Sequence, residues 1–325
     1  MLSGMSEAIR QIAESASEAY ERIAEYIVET PLERSAFFSD ATGADVYFKL
    51  ENRQHTGSFK LRGATNRLMT LTEAQRNRGC VAASSGNHGA AVAYAMQKLG
   101  AAGVIFVPEG TSPPKVAAIR DAGSNVQFFG TDGLDTEQHA RQYADQNGLF
   151  YLSPYNDAEV IAGQGTCGIE IAEQLPDVEV VFVAVGGGGL ISGVGSVLRT
   201  VSPEVRIVGC QPEASPVMAR SLAAGRILDL PSEPTLSDGT AGGIEPDAIT
   251  FELCRELIDE SVLVSEAQIA TAMREYIEAY DEPIEGAAGV AIAAMQAQQE
   301  SIKGRKVVVI ICGGNVSEAT LESIA

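Results

Sequence analysis

Residues 178–193 read VEVVFVAVGGGGLISG, and the two halves ask for different backbones. The first eight residues are apolar everywhere except Glu179. A strand with one wet face would alternate, so this run predicts a strand buried on both sides. Gly186, Gly187, Gly188 and Gly189 follow, and Leu190-Ile191-Ser192-Gly193 opens a helix. Glycines let the backbone approach a ligand closely, and the free N–H groups at a helix start favour an anion. A plain strand-to-helix turn needs only one or two glycines. The dinucleotide pattern GxGxxG fails in both registers, because Ile191 or Ser192 falls where its last glycine belongs. No Gly-Lys pair exists to make a Walker A loop. A single phosphate on a small cofactor fits better than NAD or ATP.

Outward from this strand, short apolar runs recur at Val46–Leu50, Cys80–Ala83, Val104–Val107, Val126–Phe129, Ile207–Cys210 and Lys306–Cys312. Segments with helical spacing separate them: Ala90–Leu99, Asp135–Gln146, Val160–Gln174 and Ser265–Tyr280. That alternation predicts an α/β protein with parallel sheets covered by helices. The first 28 residues carry spaced apolar positions (Ile9, Ile12, Ala16, Tyr20, Ile23, Ile27) and predict a helix closed by Thr30-Pro31. The loop 231–246, PSEPTLSDGTAGGIEP, is too polar and too rich in Gly and Pro for regular structure. Loops of that length in a compact domain tend to be functional.

Composition bounds the partners. The chain of 325 residues has a formal charge of −20, which opposes nucleic acid and anionic membranes. Its five cysteines are scattered without a CxxC pair, as expected of reduced thiols in a cytoplasmic protein. The three histidines have no zinc spacing. MLSGMSEAIRQIAES lacks the pattern of a secretory signal, and no run of 18 apolar residues could span a bilayer.

Parallel sheets place ligand sites beyond the carboxyl ends of their strands. After Ala83 comes Ser84-Ser85-Gly86-Asn87-His88-Gly89, whose small residues at a helix start suit a carboxylate. After Ile311 comes Cys312-Gly313-Gly314-Asn315, where two glycines suggest a flat group against the backbone. In HTGSFKLRGA (55–64) one of the six lysines, Lys60, lies between Phe59 and Leu61. Desolvation there would lower its pKa toward Schiff-base chemistry. A phosphate cup, a carboxylate loop, a desolvated lysine and a small polar residue after the last strand together describe a pyridoxal phosphate enzyme acting on amino acids.

These residues have a family likeness. KLEN (49–52) with TGSFKLRGA (56–64), SSGNHG (84–89), AGQGT (162–166), GGGGL (186–190) and CGGN (312–315) together resemble, in order and separation, the serine/threonine dehydratase family. The resemblance implies a fold-type II pyridoxal phosphate enzyme, similar to the tryptophan synthase β chain, with two parallel-sheet α/β domains around a cofactor cleft. Residues 1–78 and 157–325 would form the larger body and 79–156 the smaller, with no C-terminal regulatory domain. Lys60 would hold the cofactor and act as base at Cα. Phe59 would pack near the ring, Asn87 would bond the ring hydroxyl, Gly186–Gly189 and Leu190 would cradle the phosphate, and Cys312 would face the ring nitrogen. Ser84, Ser85, Gly86 and His88 would take the substrate carboxylate. The implied reaction is β-elimination from L-threonine or L-serine, in a homodimer or homotetramer, with room for a monovalent cation.

Several positions depart from near relatives. Serine racemases of this family bind a divalent cation after the strand at Ile207–Cys210, but here Gln211 and Val217 stand where carboxylates are expected. Ser85 matches the serine that racemases use as their second acid-base group, whereas Tyr155 replaces a small polar residue, as dehydratases do. Glu285 is followed by Gly286 where the family usually has proline. LSDGTAGGIEP is similar to dehydratases of hydroxyectoine breakdown, which keeps a hydroxylated diamino acid, and 3-hydroxyaspartate, among the expected substrates.

Overall fold

The computed structural model describes residues 5–131 and 133–325; the first four residues of the expected larger body lie outside them. Among the described residues ten strands form two sheets: β1 (Leu32–Arg34), β2 (Asp45–Leu50), β3 (Cys80–Ala83), β4 (Gly103–Val107), β5 (Asn125–Phe128), β6 (Phe150–Tyr151), β7 (Val180–Ala184), β8 (Arg206–Pro212), β9 (Glu260–Val264) and β10 (Lys306–Ile311). The larger sheet runs β1-β2-β10-β7-β8-β9 and the smaller β5-β4-β3-β6. All pairings are parallel except β1 on β2. β7 and β10 are buried along nearly their whole length, which accounts for their unbroken apolar runs. The short edge strands β1, β6 and β9 have no such signature, and sequence reading passes over them.

The first helix, Glu7–Ile23, buries Ile9, Ile12, Ala16 and Ile23 as its spacing predicts. It ends well before Thr30-Pro31, so proline is not what stops it. Tyr26 N instead donates to Ile23 O (2.9 Å), and Val28 is held by reciprocal bonds to the Gln54 side chain (2.8 and 2.9 Å). Among the described residues no helix is long and apolar enough to cross a membrane.

Apolar packing cuts across the expected division at residue 78. Leu61, Ala64 and Leu68 of the helix Lys60–Thr70, with Leu71 and Val160, join the cluster under the smaller sheet. The opposite face of that helix meets the helix Ala158–Gln174. Gly163 lies so close to the Gly63 backbone that a Cβ would sit 2.6 Å from its Cα. Gly63 of KLRGA and Gly163 of AGQGT are thus two sides of one helix crossing, while Gly165 faces Ala16 and Gly193.

Arg62 is sealed at this crossing. Its guanidinium forms ion pairs with Glu51 (Nε–Oε2 2.8 Å) and Glu170 (Nη1–Oε1 2.6 Å), and Lys49 Nζ meets Glu170 Oε2 at 2.6 Å. All four side chains are fully buried. Burial alone would raise the Glu51 pKa, but the charge of Arg62 and its hydrogen bonds hold it below the usual range. Two cations and two carboxylates leave no net charge inside, and the arrangement fixes the start of the helix that begins with Lys60.

Candidate active site

Four helix N-termini converge on one cleft: those of Lys60–Thr70, Asn87–Leu99, Gly189–Val201 and Gly286–Ala297. None of the four has a side-chain cap, a trait shared with the helices Val217–Ala224 and Ile249–Leu257 away from the cleft. First-turn N–H groups have no intrahelical partner, so the uncapped ends aim donors and partial positive charge at the cleft. Its volume is about 1210 Å³. Phe59, Lys60, Ser84, Ser85, Gly86, Asn87, His88, Gly186, Gly187, Gly188, Gly189, Leu190 and Cys312 all line it. The structure therefore brings together every site residue singled out in the sequence.

Lys60 is placed by a short ladder between the segment before it and the end of β10. Phe59 N donates to Cys312 O (3.1 Å), Gly314 N donates to Gly57 O (2.9 Å), and Ser58 bridges Gly313. Its Nζ donates to Pro154 O at 2.9 Å. Burial lowers the ammonium pKa to about 8, although Glu285 and Cys312 pull the other way. A useful neutral fraction thus exists near neutral pH.

The glycine turn is tight for reasons the sequence only half reveals. A Cβ on Gly187 would overlap the Tyr155 ring, and one on Gly186 would come within 3.1 Å of Thr240 Cα. Gly188 has φ +86°, and a Cβ there would meet Cys254 Sγ at 2.8 Å. These glycines let Tyr155 and Thr240 of the loop 231–246 pack directly against the turn where it lines the cleft. Gly187→Ala is expected to push Tyr155 aside and lower kcat/KM by about 10²-fold, the cost of a misplaced binding group. A cofactor titration alongside kinetics checks it.

Tyr155 is a wall. Its hydroxyl accepts from Glu245 N at 2.9 Å, and burial raises its pKa, so the phenol stays neutral and engaged. The loop 231–246 reaches the cleft through Asp238, Gly239 and Thr240. Gly286 makes room for it, since a Cβ there would overlap the Leu236 carbonyl. The side chain of Gln211 is engaged with backbone, its Oε1 accepting from Ala219 N at 2.7 Å.

His88 lies 5 % exposed, with Nε2 against Leu152 O at 3.0 Å, so Nε2–H donates and the ring is neutral. Burial, then the charge of Lys60, lowers its pKa from 6.5 to about 3. Below about 6.5 the unfolded chain takes up a proton that the folded chain refuses until about 3. Stability therefore falls as pH drops through that window, by up to about 1.4 kcal/mol per unit. His88→Gln is expected to flatten this acid limb in urea titrations at stepped pH. His55 stacks on Tyr94 (centroids 5.6 Å apart) at the cleft mouth, a placement the sequence does not signal.

Sequence reading also missed how Glu285 is used. It is buried, accepts from Asn87 Nδ2 at 2.7 Å and lies 3.4 Å from Cys312 Sγ. Burial and this carboxyl keep the Cys312 thiol protonated.

Residues 23–313 match the family model described as pyridoxal-phosphate dependent enzyme. The chain belongs to that family. It is 41% identical over 311 residues to an L-threonine ammonia-lyase of Thermotoga maritima, covering 96% of this chain and 77% of that protein. Among solved structures, the processed form of threonine deaminase isoform 2 from Solanum lycopersicum superposes with a TM-score of 0.95 at 34% identity, covering 99% of this chain and 94% of that one. Maize serine racemase superposes at 0.90 with 32% identity, covering 96% and 95%. The fold-type II architecture and its cofactor class follow from these likenesses. The cleft itself fits pyridoxal phosphate. It is lined by a glycine turn at an uncapped helix start that would suit the phosphate, a burial-depressed lysine and a protonated thiol.

Proposed function

We propose that this chain is an ammonia-lyase that removes the β-hydroxyl of L-threonine or L-serine, releasing 2-oxobutanoate or pyruvate and ammonia. The observation that carries this reading is Lys60, its pKa lowered by burial, in a cleft where uncapped helix N-termini converge. When bound, pyridoxal phosphate supplies the conjugated ring that accepts the electron pair left at Cα. Gly186–Leu190 would hold its phosphate, and Phe59, Asn87 and Cys312 would hold its ring. Neutral Lys60 takes the Cα proton. The uncapped turn at Ser84–His88 orients the substrate carboxylate, and Tyr155 with the loop 231–246 keeps water out.

The similarity to an L-threonine ammonia-lyase over 96% of the chain supports the same chemistry. Incubation with L-threonine, L-serine, 3-hydroxyaspartate and hydroxylated diamino acids, with assay of oxo acid and ammonia, is the test. No ammonia from any of them by the cofactor-loaded enzyme would sink the proposal.

One observation favours a second reading, serine racemisation. Ser85 lines the same cleft as Lys60, in a chain that superposes on a serine racemase. The engaged Tyr155 wall leans the other way. Chiral analysis of serine decides between them: D-serine forming as fast as pyruvate would favour the racemase.

A further inference from the structure

We propose that Glu285 is a positioning residue with an exchangeable proton: its carboxyl bridges the Cys312 thiol and the Asn87 amide, tying together the side chains assigned to the ring nitrogen and the ring hydroxyl of the cofactor. This rests on the reading of the cleft as a pyridoxal phosphate site.

Glu285 is 6 % exposed and stands immediately before the helix Gly286–Ala297 without capping it. Oε1 accepts from Cys312 Sγ at 3.4 Å, and Oε2 accepts from Asn87 Nδ2 at 2.7 Å. Its own N donates to Gly313 O at 3.2 Å. A Cβ on Gly313 would lie 2.6 Å from the carboxyl carbon, so glycine there admits the carboxyl against the end of β10. Asn87 is fixed from its other side as well. Asn315 Nδ2 donates to Asn87 Oδ1 at 2.8 Å and to Thr56 O at 2.9 Å. An amide nitrogen carries two hydrogens. Glu285 takes one and leaves one for a ring hydroxyl.

The charged groups facing Glu285 are Lys60, which favours its anion, and Asp238, which opposes it. Lys115 and Glu318 line the same cleft. Burial outweighs the hydrogen bonds and raises its pKa to about 7. Ionised, Glu285 puts a negative charge one thiol away from the expected position of the ring nitrogen and favours a proton there. Protonated, it leaves that end neutral and the ring a weaker electron sink. Glu285 thereby sets how strongly the ring draws electrons, without itself touching the substrate.

The test is a pH titration of the visible absorption of the loaded enzyme, in wild type, Glu285→Gln and Glu285→Asp. Expected is a one-proton spectral transition near neutral pH in the wild type. Glu285→Gln should lose it, and Glu285→Asp should keep it with a displaced midpoint. A featureless wild-type titration, or the same transition in Glu285→Gln, overturns the inference. Should Glu285→Gln fail to load, Glu285→Asp decides: a displaced midpoint supports the role and an unmoved one overturns it. A wild type that binds no pyridoxal phosphate at all would take the functional reading down with it. A loaded, active enzyme with an unmoved spectrum sinks only the role of Glu285.

Discussion

Lys60→Ala is expected to abolish turnover, by at least about 10⁴-fold, because in the proposed reaction one side chain both holds the cofactor and moves the Cα proton. The fold should survive, since the Lys60 Nζ makes one hydrogen bond, to Pro154 O, and no ion pair that Arg62 or its partners share. Ammonia release with L-threonine gives the rate, and circular dichroism checks the fold. Borohydride reduction and peptide mapping of the wild type should place the label on Lys60. A label elsewhere, or Lys60→Ala within about tenfold of wild type, would show that another amine does this work.

Glu170→Gln should have the largest effect on stability. The substitution leaves Lys49 without an ion-pair partner and Arg62 with Glu51 alone, all of them fully buried, and breaking a buried pair from one side costs about 3–5 kcal/mol. Arg62→Met should cost a similar amount, with Glu51 stranded and Lys49 left as the one ion-pair partner of Glu170. An exposed pair such as Arg305–Glu179 is the control, and Arg305→Ala should cost about 1 kcal/mol or less. Urea midpoints for the three variants make the comparison. Equal losses for Glu170→Gln and Arg305→Ala would show that the cluster relaxes or takes up water on losing a partner.

Much of this is legible in the sequence alone. The run before Gly186 announced a strand buried on both faces, and the glycines after it announced a close approach. Lys60 was conspicuous because lysine is scarce and its neighbours are apolar. What stayed hidden depends on contacts distant in sequence. Glu285 meets Asn87 across 198 residues, and a carboxylate before a helix looks the same in sequence whether water or protein surrounds it. Glu51 and Glu170 hid for the same reason. The neighbours that make glycine necessary at 187 and 286, a Tyr155 ring and a Leu236 carbonyl, come from separate loops. Boundaries were also hard to see: Lys60–Thr70 belongs by sequence to one body and by its apolar face to the other.

The neutral quartet beneath Lys60 has a consequence for ionic strength. The outer surface carries most of a net −20, and its self-repulsion weakens as salt shortens the Debye length below about 10 Å. No counter-ion reaches Lys49, Glu51, Arg62 or Glu170, because none of the four has any exposed side chain. Added salt therefore relieves the self-repulsion of the shell while leaving the four charges beneath Lys60 as they were. Brine and dilute buffer leave those four charges alike.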